Sequence, residues 1–159
     1  MSEITILRKP AEEMDDLDQK FDLVYLDPPF GLQRDFNMVE SDGREKGFSD
    51  SWKSFDDYID WYAEILNKCY SRLGDHGWIY AHNNFIGNAL VLSKVNSTVR
   101  DSFYTNISWK RSGPKNNIKN GWGNIVDSIM VLQKGKPYFE VEYSEPVSYT
   151  HLTLPTMMS

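Results

Sequence analysis

The sequence is short of the residues that mark secreted, membrane-spanning or metal-dependent proteins. It has one cysteine, Cys69, in 159 residues, which excludes an internal disulfide and any cysteine-cluster metal site. Its three histidines, His76, His82 and His151, are scattered with no ligand spacing. No apolar stretch approaches the ~18 residues of a membrane span, and no signal peptide opens the chain, so a cytoplasmic protein with no membrane and no metal is expected. Positive charge is also scarce. Seventeen Lys and Arg stand against 23 Asp and Glu, for a net charge of −6, which argues weakly against nucleic-acid binding. The length suits one domain with a sizeable core.

The charge is unevenly spread. Residues 1–93 hold 9 basic and 18 acidic side chains, residues 94–136 hold 8 and 2, and residues 137–159 hold three acids and no Lys or Arg. The basic middle block contains Lys94, Arg100, Lys110, Arg111, Lys115, Lys119, Lys134 and Lys136. It can face phosphates even in an acidic chain; a solvated basic loop is the alternative.

One segment carries chemistry. Val24-Tyr25-Leu26 runs into Asp27-Pro28-Pro29-Phe30. The apolar run predicts a buried strand, and Asp27 then falls at its carboxyl end, where open α/β sheets place their ligands. Two prolines make a stiff elbow with no N–H to donate. What is left there is a carboxylate, exposed carbonyls and an aromatic face: acceptors for an N–H group and a platform for a flat ring. The same four residues also suit a rigid turn with Phe30 in the core.

Around this segment the pattern is helical and extended by turns. Ile4 to Leu7 is a short possible strand, Pro10 to Leu17 one or two helical turns, and Phe21 to Leu26 a strand. Residues 31–53 are polar, hold Gly31, Gly43 and Gly47, and show no period; a loop this long is usually functional or disordered. Ser54 and Asp57 have capping-box spacing. Phe55, Tyr58, Ile59, Tyr62, Ile65, Leu66, Cys69 and Leu73 then recur on one helical face, and Gly74 is the expected stop. Trp78 to Ala81 is predicted as a strand, Phe85 to Val99 as a helix, Asn106 to Lys110 and Ser128 to Gln133 as strands, and Tyr138 to Val141 as a possible last strand. Alternating strands and helices predict a parallel α/β sheet.

Asp27-Pro28-Pro29-Phe30 resembles the Asp-Pro-Pro-Tyr/Phe motif of the DNA amino-methyltransferases, which methylate adenine N6 or cytosine N4. Further segments follow in the order of the beta arrangement of that family: Tyr58-Ile59-Asp60-Trp61, Gly77-Trp78-Ile79-Tyr80, Ile107-Ser108-Trp109-Lys110-Arg111, and Asp127 before Ser128-Ile129-Met130-Val131-Leu132. The resemblance covers roughly residues 20–136. It implies a partial Rossmann-like methyltransferase sheet, mostly parallel, with flanking helices. It implies S-adenosylmethionine as cofactor and double-stranded DNA as partner, as in restriction-modification systems.

The residue roles implied by the resemblance are specific. The Asp27 carboxylate and the Pro28 carbonyl would accept the amino hydrogens of the target base, Pro29 would fix the elbow, and Phe30 would stack on the base after it leaves the helix. Asp27 would also lie near the methyl donor. His82, after a strand end, is a weaker cofactor-binding candidate. Phe30, Lys110, Arg111, Lys115 and Lys119 are the nucleic-acid candidates. Tyr58 and Trp109 are expected to be packing residues, and Trp122 lies in a glycine loop that either touches DNA or caps a core. Asp rather than Ser before the prolines points to adenine N6.

The departures are equally informative. The family's Phe-x-Gly-x-Gly loop for S-adenosylmethionine is absent, and Gly121-Trp122-Gly123 follows Lys-Asn rather than an apolar strand. Residues 1–145 therefore read as the catalytic half of the enzyme, inactive by itself. Residues 146–159 read as a non-native or disordered tail. They resemble a translated sequencing-adapter peptide, with an ordinary extended segment as the alternative. The competing functional readings are a non-enzymatic truncated remnant that binds DNA weakly, and a methyltransferase acting on RNA or on a protein amide.

Overall fold

The computed structural model describes residues 6–16, 19–39, 43, 45–113 and 125–141. The expected tail at 146–159, and the loop that holds Lys115, Lys119 and Trp122, lie outside the described residues. The elements are a 3₁₀ helix at Ala11–Asp16, β1 (Phe21–Leu26), β2 (Arg34–Val39), β3 (Glu45–Asp50), α1 (Phe55–Arg72), β4 (Leu73–Asn83), α2 (Phe85–Val91), α3 (Ser97–Asp101), β5 (Phe103–Lys110) and β6 (Val126–Lys134).

The main sheet has four strands in the order β1-β4-β6-β5. β1 and β4 pair in parallel, which the α1 crossover between them makes possible. β6 is antiparallel to both of its neighbours, β4 and β5. β1, β4 and β5 thus share one direction, and β6 fills the slot between β4 and β5 running the other way. The α/β class with flanking helices is as the sequence predicts. The sheet itself is mixed, because β6 follows β5 directly and turns back along it. β1 is an edge strand, and its outer residues Leu23 and Tyr25 are 57% and 53% exposed.

α1 forms where the sequence places it. The Ser54 hydroxyl accepts the Asp57 N–H at 3.1 Å, capping the first turn. The apolar stripe is then buried: Tyr58, Ile59, Tyr62, Ile65, Leu66 and Cys69 lie in the core with Leu73, Ile79, Ala81, Val91, Val99, Met130 and Leu132. Burying each large aliphatic side chain contributes about 1.5–3 kcal/mol. Burial also pushes the Cys69 thiol up to about 12, which leaves it an inert core residue.

Several boundaries differ from expectation. α1 does not stop at Gly74; Leu73 is already extended, its N–H bonds the Tyr70 carbonyl, and the chain enters β4 directly. The single helix expected over Phe85–Val99 is two. The Ser93 hydroxyl bonds back to the Leu90 carbonyl at 2.7 Å, an alternative to helix propagation, and Asn96 starts α3 afresh. The long loop at 31–53 contains an antiparallel ribbon, β2–β3, paired from Arg34↔Asp50 to Val39↔Glu45. It has no alternation visible in sequence because it stands apart from the main sheet. Tyr138–Val141 and Ile6–Leu7 form no strand. Among the described residues, no helix is long and apolar enough to cross a membrane.

Candidate functional site

Strand register assembles the site. β1 and β4 pair Leu26 with Ala81, so the next residues on each, Asp27 and His82, emerge side by side. β5 and β6 pair Trp109 with Asp127, and β4 and β6 pair Asn83 with Ser128. Four side chains from four strands or strand ends therefore meet at the carboxyl ends of β1, β4 and β5, the edge where α/β sheets bind ligands.

The Asp-Pro-Pro-Phe elbow is held from three directions. The Tyr58 hydroxyl, from the first turn of α1, donates to the Pro29 carbonyl at 2.7 Å. The Asn84 amide, which also caps α2 by accepting the Gly87 N–H, donates to the Phe30 carbonyl at 2.9 Å. The Gly31 and Leu32 N–H groups donate to the two carboxylate oxygens of Asp50 at 2.9 and 2.8 Å. Asp50 is fully buried and also accepts the Trp52 indole N–H at 3.0 Å. Gly31 is required here. Its φ of +67° is left-handed, and a Cβ would lie 2.6 Å from the Tyr58 ring.

These contacts take the carbonyls of Pro29 and Phe30 and the N–H groups of Gly31 and Leu32. Among the described residues, nothing donates to the Pro28 carbonyl. Asp27 beside it is 57% exposed at the side chain. The elbow is thus locked at Pro29, Phe30, Gly31 and Leu32, with the Asp27 carboxylate exposed beside it. Tyr58 is fixed as the donor. Burial pushes its phenol up to about 12, and the buried Asn83 amide donates to the same oxygen.

His82 is the hub of the outward face. Its Nδ1 lies 3.1 Å from Asp27 Oδ1 and 3.3 Å from the Tyr25 hydroxyl. Its Nε2 lies 3.6 Å from Asp127 Oδ2, and that oxygen is 3.3 Å from Arg111 Nε. The Phe30 ring meets the imidazole edge-on at 5.3 Å, and the Trp109 ring lies against it at 5.2 Å. His82 is only 7% exposed. The geometry gives it carboxylates and rings as neighbours.

The nucleic-acid candidates separate. Lys110 is exposed on the edge strand β5, whereas Arg111 turns inward to Asp127 and is 17% exposed. Phe30 is half-buried against His82. Lys115 and Lys119 lie outside the described residues. Trp109 and Tyr58, expected to be packing residues, both touch the site. Asp50, Asn83 and Asn84 went unassigned in sequence. Asp50 sits in the segment with no period, but Asn84 followed three residues later by Gly87 is a readable cap signal. Among the described residues, no group of three or more His, Cys, Asp and Glu side chains is placed to hold a metal ion.

Behind the site runs a buried polar line. Asn88 accepts the Tyr62 hydroxyl at 2.9 Å and donates to the Ala81 carbonyl, the Ser128 carbonyl and the Ser128 hydroxyl at 3.2, 3.1 and 3.0 Å. It ties α1, α2, β4 and β6 together.

Comparison with known proteins places these features in context. A family model described as DNA methylase matches residues 21–155. The chain is 28% identical over 123 residues to "Type II methyltransferase M.EcaI" of Enterobacter cloacae, covering 76% of this chain and 26% of that protein. It is 22% identical over 116 residues to "DNA adenine methyltransferase YhdJ" of Escherichia coli (strain K12), covering 73% of this chain and 35% of the relative. The chain thus spans about a quarter to a third of the length of these relatives. Among solved structures, the M1.HpyAVI–SAM complex is similar with a TM-score of 0.47 and 12% identity, over 87% of this chain and 56% of that one.

Proposed function

The chain belongs to the DNA methylase family, and from that footing we propose that its described residues form the base-accepting side of an amino-methyltransferase, with adenine N6 as the target. The observation that supports this most is the elbow. The Pro29 and Phe30 carbonyls are taken by Tyr58 and Asn84, the Asp27 carboxylate is exposed, and the Pro28 carbonyl has no donor among the described residues.

An exocyclic amino nitrogen is a poor nucleophile because its lone pair is delocalised into the ring. Acceptors on both of its hydrogens draw it toward a pyramidal geometry and localise that pair. They also offset the positive charge that grows on nitrogen as it is methylated. A carboxylate and a carbonyl fixed before the reaction do this without reorganisation. Phe30, half-buried beside Asp27, would offer the ring face for a base taken out of its stack. In this reading S-adenosylmethionine supplies the methyl group. Among the described residues no Phe-x-Gly-x-Gly loop follows an apolar strand. We infer that residues 1–159 alone transfer no methyl group.

The test is a nuclear magnetic resonance titration of the chain with adenosine, cytidine and purine riboside, which has adenosine's ring without its amino group. Adenosine should bind roughly tenfold tighter than purine riboside, the scale of a hydrogen bond to a charged acceptor. Asp27→Ala should erase that difference with the fold intact. Phe30→Tyr should bind all three nucleosides normally, and Phe30→Ala should weaken all three by about 1–3 kcal/mol. Equal affinity for adenosine and purine riboside in the unsubstituted chain would remove the amino-acceptor assignment and favour a remnant that meets DNA only through its basic block.

A further inference from the structure

The side chains at the carboxyl edge form a row that follows the strand order. Asp27 ends β1, His82 lies on β4, Asp127 on β6, and Arg111 follows β5; the sheet order is β1-β4-β6-β5. Each member contacts the next: 3.1 Å from Asp27 to His82, 3.6 Å from His82 to Asp127, and 3.3 Å from Asp127 to Arg111. Only the Asp27 end is open; His82, Asp127 and Arg111 are 9%, 8% and 17% exposed at their side chains.

We propose that His82 is a positioning residue, whose Nδ1–H fixes one oxygen of Asp27 so that the other is presented to the amino group of the base. This rests on the reading of Asp27 as an acceptor. Nδ1 has the nearer carboxylate, at 3.1 Å, whereas Nε2 is 3.6 Å from Asp127, outside hydrogen-bond range. The proposal places the ring hydrogen on Nδ1, which has two neighbours: the Asp27 oxygen at 3.1 Å and the Tyr25 hydroxyl, its hydrogen-bond partner, at 3.3 Å. The imidazole cannot swing away, because Phe30 and Trp109 lie against it. Asp127 backs the ring and carries its own counter-charge in Arg111. With Oδ1 of Asp27 held, Oδ2 has no partner among the described residues. A freely rotating carboxylate would offer its oxygens in many orientations; a held one offers a single oxygen in a fixed direction beside the Pro28 carbonyl.

The experiment reads the ring first. Long-range proton–nitrogen correlation on the intact chain should show a hydrogen on Nδ1 of His82. In Asp27→Ala that hydrogen should leave Nδ1, which then accepts from the Tyr25 hydroxyl 3.3 Å away. A bare Nδ1 in the unsubstituted chain overturns the proposal, whatever the chain binds. The second reading is the ratio of adenosine to purine riboside affinity. His82→Ala should bring that ratio close to one, and His82→Gln, which keeps an N–H donor, should restore most of it. A ratio unchanged in a folded His82→Ala also overturns the proposal. If the unsubstituted chain shows no preference but its Nδ1 hydrogen follows Asp27, the pairing stands and the amino-acceptor reading fails.

Discussion

The Tyr58 hydroxyl reaches the Pro29 carbonyl, 29 residues earlier in the chain, at 2.7 Å. A core helix thereby grips the one stretch of backbone that has no N–H groups of its own to anchor it. Two prolines give stiffness but not position; Tyr58, Asn84 and Asp50 supply position. The cost is a buried phenol, and its oxygen is satisfied on both sides, by the Pro29 carbonyl and the Asn83 amide.

Removing that hydroxyl has a predicted signature at high pH. The Tyr58 phenol is raised from 10.0 to about 12 by burial, helped by the charge of Asp50 and opposed by the Asn83 hydrogen bond. A raised folded value means its contribution is complete below pH 10 and is lost as pH climbs toward 12. Wild type should lose about 2–3 kcal/mol more than Tyr58→Phe across that window. Urea titrations of both proteins at intervals from pH 8 to about 12 measure the difference, and parallel curves would contradict it.

Asn88 is the polar residue whose loss should be most costly. Asn88→Ala removes the acceptor of the Tyr62 hydroxyl and one bond each from the Ala81 carbonyl, the Ser128 carbonyl and the Ser128 hydroxyl, the last of which keeps Asn106. A buried group left unsatisfied costs about 1–3 kcal/mol. Because four buried hydrogen bonds go at once, chemical denaturation should place the loss near the top of that range. Asn84→Ala should cost about 1 kcal/mol as a lost cap.

Neighbouring cations Lys110 and Arg111 should behave differently. Lys110 is exposed, so Lys110→Ala should lower DNA affinity and reduce the slope of log affinity against log salt by about 1. Arg111 is paired with the buried Asp127. Arg111→Ala should instead destabilise the fold by on the order of 3 kcal/mol by leaving a carboxylate uncompensated. Equal salt slopes in Lys110→Ala and wild type would return Lys110 to the solvated surface.

The outer edge of β1 should govern solubility. Leu23 and Tyr25 lie exposed on β1, whose outer edge has no partner among the described residues, and an apolar open edge invites pairing with other chains. Leu23→Lys should slow aggregation, measured by light scattering at fixed concentration, with a change in stability within about 0.5 kcal/mol.

The sequence by itself determined the local parts. The apolar run into Asp27-Pro28-Pro29 specified a strand and a stiff turn, because β-rich residues and proline restrict the backbone wherever they occur. The 3.6-residue stripe from Phe55 to Leu73 specified α1 and its buried face, and Ser54 specified where it starts. What only the tertiary structure decided is which side chains meet. Asp27, His82, Arg111 and Asp127 are spread along the sequence from residue 27 to residue 127. Nothing in local propensity fixes that β6 slots between β4 and β5, or that Leu26 pairs with Ala81 and Trp109 with Asp127. Those are consequences of strand order and register, which answer to the packing of the whole sheet on α1. The same applies to Asp50, whose segment shows no period yet whose carboxylate holds the elbow, and to Arg111, which reads as a free cation until the fold brings Asp127 beside it.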